Sequence, residues 1–173
     1  QGVGLLVLTG NNTFANGITI NAGVVRGAAS SLNLTNQAVI FRGSAAAATV
    51  IETSGTLTNS VGTGAGQIQW IPEGTINATT GASGGFSAFG GPLSVTLNND
   101  AVTPLVWDST AGFTATNGQL VFGSIYSNDV VTFNNAIDLN GAGRAINVVD
   151  NPDLATDYAI ITGVISSGTP TVG

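Results

Sequence analysis

The charged side chains in the 173 residues are nine carboxylates and three arginines. The carboxylates are Glu52, Glu73, Asp100, Asp108, Asp129, Asp138, Asp150, Asp153 and Asp157, and the cations are Arg26, Arg42 and Arg144. Carboxylates gathered together hold a hard cation, which takes several carboxylate and carbonyl oxygens. The densest group here is Asp150-Asn151-Pro152-Asp153 with Asp157. Its spacing fits neither an EF-hand loop nor the glycine-rich nonapeptide of calcium-binding solenoids. Capping of turns by Asp is therefore preferred over calcium. Two carboxylates facing each other across a groove could instead cleave a glycosidic bond. A lyase would want a basic side chain beside acidic cation ligands, and Arg144 lies between Asp138 and Asp150. Three cations supply a groove for an anionic sugar poorly. Arg144 reads better as a surface ion-pair partner, worth under ~1 kcal/mol.

Other chemistry is scarce. There is no Cys and no His, which removes thiolate nucleophiles, the commonest general base and the commonest zinc ligands. Ser109 follows Asp108 but has no His or Lys to activate it. Gly62-Thr63-Gly64-Ala65-Gly66 invites a phosphate-loop reading, yet such a loop must open a helix. Here it precedes the strand-like Gln67 to Ile71 and reads as a loop. Trp70 and Trp107 could stack on sugar rings, although large aromatics in β proteins are more often core. No catalytic, cofactor-binding or metal-binding residue is assigned.

The elements that would position these groups are strands. Apolar residues make up 43% of the chain and charged ones 7%, against about 25% charged in an ordinary domain. That hydrophobic content should fold, with solubility carried by Asn, Thr, Ser and Gln. The net charge of −6 argues against nucleic acid, which needs a basic surface, and against an electrostatic membrane anchor. No apolar run approaches the roughly 18 residues of a membrane helix. The chain starts at Gln1 without Met or a visible export signal, so a mature or internal fragment is expected.

Expected strands are Leu5–Thr9, Ile18–Asn21, Val24–Arg26, Leu32–Leu34, Ala38–Arg42, Thr49–Thr53, Thr56–Thr58 and Gln67–Ile71. They continue with Leu93–Leu97, Pro104–Trp107, Gln119–Phe122, Val130–Phe133, Ala136–Leu139, Ala145–Val149 and Tyr158–Val164. Alternation in Val130–Phe133 places Val131 and Phe133 inside and Thr132 outside. Asn16-Gly17, Asn117-Gly118 and Asn140-Gly141 could each make a tight hairpin or a positive-φ corner, and the corner is preferred. So many short strands suggest a sandwich, a barrel or a β-solenoid. Small residues favour the solenoid, whose coils stack about 4.8 Å apart, with Asn and Thr in side-chain ladders. Coils of roughly 20–25 residues would give a length of about 35 Å at that spacing. The glycine-rich stretch 62–92 is expected to be an irregular, loop-rich excursion, anchored to the core by Trp70, Phe86 and Phe89.

Gly4-Leu5-Leu6-Val7-Leu8-Thr9-Gly10-Asn11-Asn12-Thr13-Phe14, followed by Ile18-Thr19-Ile20-Asn21-Ala22-Gly23-Val24, resembles the autotransporter-associated β-strand repeat of bacterial surface proteins. This family is also called the passenger-associated transport repeat. It usually carries Tyr where Phe14 stands and Thr-Gly-Gly-Thr where Ala15-Asn16-Gly17-Ile18 stands, so a turn is kept and one glycine lost. The match has motif strength over residues 4–26 alone. Segments 62–70, 84–90 and 131–149 resemble inter-motif stretches of long repetitive proteins that carry the repeat. The resemblance implies a right-handed parallel β-helix, export, and a role as stalk or adhesin. In a bacterial family, the Asn-x-Thr triplets at Asn11, Asn33 and Asn77 read as turn composition and not as glycosylation acceptors.

The expectation is an all-β, right-handed parallel β-helix (β-solenoid) over 1–173, one repeat unit of a longer protein. Its expected function is non-catalytic: an extracellular structural repeat in a bacterial fibre, stalk or surface layer. The alternative is an adhesin module binding glycans at the cell surface. Expected partners are copies of itself or neighbouring repeats end to end, with surface glycans second, and without nucleic acid, membrane insertion or a cofactor.

Overall fold

The computed structural model describes residues 4–71 and 81–168. Glu73 and the triplet at Asn77 lie outside the described residues. Strands dominate, and the only helical turn among the described residues is a 3-10 turn at Leu97–Asn99. In chain order the strands are β1 (Leu5–Leu8), β2 (Ile18–Ile20), β3 (Gly23–Gly27), β4 (Val39–Phe41), β5 (Thr49–Leu57), β6 (Ser60–Val61), β7 (Gln67–Trp70) and β8 (Gly84–Val95). There follow β9 (Leu105–Val106), β10 (Gln119–Phe122), β11 (Val131–Phe133), β12 (Ile137–Asp138), β13 (Ala145–Val148), β14 (Ala159–Ile161) and β15 (Ile165–Ser166).

They form three sheets, and every pair of named strands is parallel. The main sheet runs β1-β3-β5-β8-β10-β13, with β11 joined to β8 and β14 to β11. A second sheet runs β2-β4-β7-β6 and a third β9-β12-β15. Antiparallel contacts among the described residues are isolated bridges, such as Gly43 with Ser83. All-β with parallel sheets is therefore established; strand pairing establishes neither a closed β-helix nor its hand.

From β1 to β6 chain neighbours alternate between the main and second sheets, whereas β6 and β7, β10 and β11, and β13 and β14 are neighbours within one sheet. Asn16-Gly17 separates β1 of the main sheet from β2 of the second, and Asn140-Gly141 separates β12 from β13. Gly17, Asn117, Asn140 and Gly141 take positive φ there, which Gly and Asn tolerate best. These pairs are corners and not hairpins. The repeat is less even than the expected 20–25 residues. Partners on adjacent strands are separated by 26 residues for Arg26 and Glu52 and by 35 for Glu52 and Ser87.

Two expectations about elements are corrected. Leu32–Leu34 is not a strand but part of a compact turn, in which Leu32 N–H donates to Ala28 O and Leu34 N–H to Ala29 O. Asn33 sits at φ 52°, so both leucines still reach the core. The stretch 62–92 is not chiefly a loop. Its described residues include β7, and it holds most of β8, the longest strand at 12 residues. Glycine there serves close packing: a Cβ on Gly84 would lie 2.6 Å from the Phe41 ring.

The core is one long cluster between the sheets. An aromatic chain runs through it, with ring centroids 5.6 Å apart for Trp107–Phe113, 5.3 Å for Phe113–Trp70, 6.1 Å for Trp70–Phe86 and 6.2 Å for Phe86–Phe133. Val131 and Phe133 are buried and Thr132 half-buried, the register expected from alternation.

Candidate functional site

The candidate residues for chemistry are mostly committed to holding the fold. Trp70 and Trp107 are buried. Their indole N–H groups donate to Gly84 O at 2.8 Å and to Ala115 O at 3.1 Å. Neither ring face is open to a sugar. Phe86 is core as expected, but Phe89 is exposed and carries the Arg26 guanidinium 3.3 Å above its ring.

Arg144 pairs with neither Asp138 nor Asp150. Its guanidinium bridges to Asp108, donates to Thr116 Oγ1 at 3.2 Å and to Leu139 O at 3.0 Å, and lies over the Trp107 ring. Asp108 also accepts the Thr116 N–H and hydroxyl. The ion pair exists at the surface, with Asp108 exposed, and it ties two corners together. Asp138 accepts backbone N–H groups from Gly168 and Asn140, which hold its carboxyl below the ordinary carboxylate value. Ser109 lies in the turn where its N–H donates to Val106 O.

In the acidic cluster, Asp157 accepts Ser127 Oγ at 2.6 Å and the Asn151 N–H at 2.8 Å. Burial opposes its ionisation, but these bonds outweigh burial and its pKa is lowered. Asp157 thus closes the turn at Asn151, as the turn reading expects. Among the described residues, no three acidic side chains come together in a metal-binding group. Gly62 to Gly66 forms a turn before β7, with Gln67 Oε1 accepting the Gly64 N–H.

Sequence reasoning missed the pair Arg26 and Glu52. The register places Arg26 beside Glu52 and Glu52 beside Ser87, on β3, β5 and β8. Glu52 is wholly buried. It accepts Arg26 Nε, Ser87 Oγ at 2.8 Å and Ser124 Oγ at 2.6 Å, while Arg26 also donates to Tyr126 O at 3.0 Å. A carboxylate so enclosed is a staple between strands. Its signal was invisible because the partners are 26 residues apart and only the strand register brings them together.

Asn side chains do the same between successive strand layers. Asn12 Nδ2 donates to Ser31 O, Asn140 Nδ2 to Trp107 O and Asn151 Nδ2 to Ser127 O. The buried Asn135 accepts the Leu97 N–H at 2.7 Å and donates to Leu97 O and Asp100 O. The expected polar ladder is present: Thr162 Oγ1 donates to Asn134 Oδ1, and Asn134 Nδ2 donates to Ser94 and Thr96.

Exposed apolar side chains occur at both edges of the main sheet. One core column crosses the main sheet through Leu6, Val25, Ile51, Phe86, Phe122 and Val148, each the register partner of the next. Its inner members are 7%, 1%, 0% and 1% exposed, whereas Leu6 is 54% and Val148 58% exposed. In the third sheet exposure appears at one edge only: Leu105 on the edge strand β9 and Ile137 are buried, and Ile165 is exposed. Ile146, partner of the buried Leu120, adds to this apolar face, whereas the exposed Ile160 pairs with the outward Thr132. A lone exposed apolar residue needs no explanation, but a set ordered by register does. No protein-family model, curated protein or solved structure matches this chain.

Proposed function

We propose that this chain is a non-catalytic structural segment of a bacterial fibre, stalk or surface layer outside the cell. In this reading its strands wind as a right-handed parallel β-helix of the autotransporter-associated repeat type. The observation that supports it is the column from Leu6 to Val148, buried in the middle and open at both ends. A stack whose hydrophobic column is open at both ends grows by adding layers, each supported by its neighbours. Length and resistance to unfolding then come from the same contacts. The chemistry agrees, since the most buried carboxylate, Glu52, and the buried Asn135 are spent on holding strands together. Charges number 12, so stability depends little on ion pairs that salt would screen.

The test is a tandem chain, with Gly173 of one copy followed directly by Gln1 of the next. It should unfold in a single cooperative transition at a Tm above that of one copy, because the joint covers Val148 and Leu6. Small-angle scattering should report a rod of about twice the length. Two copies that melt independently at the single-copy Tm would reject the reading.

A further inference from the structure

We propose that the last layer of the stack is a docking surface for the first layer of a second copy of this chain, so that folded units also add head to tail without a covalent joint. This rests on the structural reading above and names its partner.

Three observations select that occupant. The first is the open ladder. Among the described strands, β13 pairs only with β10, β14 only with β11, and β15 only with β12. At the other end β1 pairs only with β3 and β2 only with β4. Every named pair is parallel, so a strand that continues the ladder beyond β13 must run in the same sense and present an apolar core face. In a second copy oriented alike, β1 meets both conditions, whereas a twofold partner would set β13 antiparallel to itself. Unpaired edge groups are a standing template for such addition.

The second is the match of side chains. Placing β1 of one copy on β13 of another continues the core column from Val148 to Leu6, two aliphatic side chains that are each more than half exposed in the single unit. Covering them removes apolar surface from water at both partners.

The third is charge. Between residues 4 and 51 the charged side chains are Arg26 and Arg42; between 138 and 168 they are Asp138, Asp150, Asp153, Asp157 and Arg144. Tail-to-tail association would bring two acidic segments together. Head-to-tail association sets the acidic layer against β1 and β2, where residues 4–25 carry no charged side chain, and avoiding like charge selects orientation more than affinity. A head-to-tail contact is heterologous and does not close, so it gives open filaments.

The experiment is sedimentation velocity over a concentration series on wild type, Leu6→Asp and Val148→Asp, with a circular-dichroism melt of each. Both positions are exposed in the single unit, so the melts should stay within a few degrees of wild type. Wild type should form oligomers beyond the dimer, and each variant should lose association by more than about tenfold. An equimolar mixture of the two variants should form a one-to-one pair and grow no further, because one intact tail meets one intact head. Dimerisation of Leu6→Asp alone would establish a tail-to-tail contact and overturn the proposal. Wild type that stays monomeric at its highest soluble concentration would also overturn it. In that case a tandem chain with raised Tm would keep the structural reading, and one without it would remove both.

Discussion

Glu52 and Arg26 form a buried pair whose partners are also hydrogen-bonded, the condition under which desolvation is repaid. Removing one side leaves the other charge uncompensated. Glu52→Ala should destabilise by about 3–5 kcal/mol in urea unfolding, and Arg26→Met by a similar amount. The double variant should lose clearly less than the sum, since the single losses share one cause. Strict additivity would show that the two side chains act separately. Asp157 adds a dependence on pH. Burial disfavours its charge, but the Ser127 and Asn151 donors prevail, so its folded pKa lies below the ordinary 3.8. A depressed pKa gives stability that is complete above 3.8 and is lost as pH falls from there through the folded value. In Asp157→Asn that group no longer titrates. Wild-type stability should therefore fall more steeply with acid below pH 3.8 than the variant's, as read by thermal melts at stepped pH. Parallel slopes would remove Asp157 from the acid response.

Strand β8 explains what the sequence disclosed about elements and what it hid. Where apolar residues alternate with polar ones, as in Val131 to Phe133, side-chain period two marks the strand and its buried face. In Gly84-Gly85-Phe86-Ser87-Ala88 the same period is masked, because glycine signals a turn by default. Here glycine is demanded by neighbours that only the folded register supplies. A Cβ on Gly85 would strike the Val121 carbonyl on β10. The Arg26–Glu52 staple was hidden for the same reason, whereas the cores at Trp70 and Trp107 were legible from size and polarity alone. Leu32 and Leu34 alternate like a strand yet lie in a turn, because Asn33 at φ 52° reverses the chain between them. Gly85→Ala should cost about 3 kcal/mol or more, since the obstacle is backbone in the middle of the sheet. Gly143→Ala, where an added Cβ meets nothing within 4 Å, should stay within about 0.5 kcal/mol. Equal stability of the two variants would mean that β8 and β10 do not lie in this register.

At the scale of the whole molecule, burial is graded along the stack, from Leu6 through Phe86 to Val148. In a stack held by nearest-neighbour contacts, opening an end layer breaks one interface, whereas opening a middle layer breaks two. Local stability should follow that count. Amides of β5, β8 and β10 should exchange with solvent only through global unfolding, and those of β1, β13 and β15 through cheaper local fraying. Hydrogen exchange of the dilute protein, read strand by strand, should therefore give protection that peaks at Phe86 and falls toward both ends. Flat protection across all strands would contradict a layered stack and with it the inference that the ends are incomplete. Repeating the measurement at concentrations where units associate separates the two ends from the rest. Docking should raise protection in β1 and β13 together and leave β8 unchanged, because a heterologous joint covers one end of each partner. A rise confined to β13 would mark a symmetric contact through the acidic layer. On the proposed head-to-tail addition, the gradient links stability to assembly: the strands that fray first in a single unit are those that a neighbouring unit would complete.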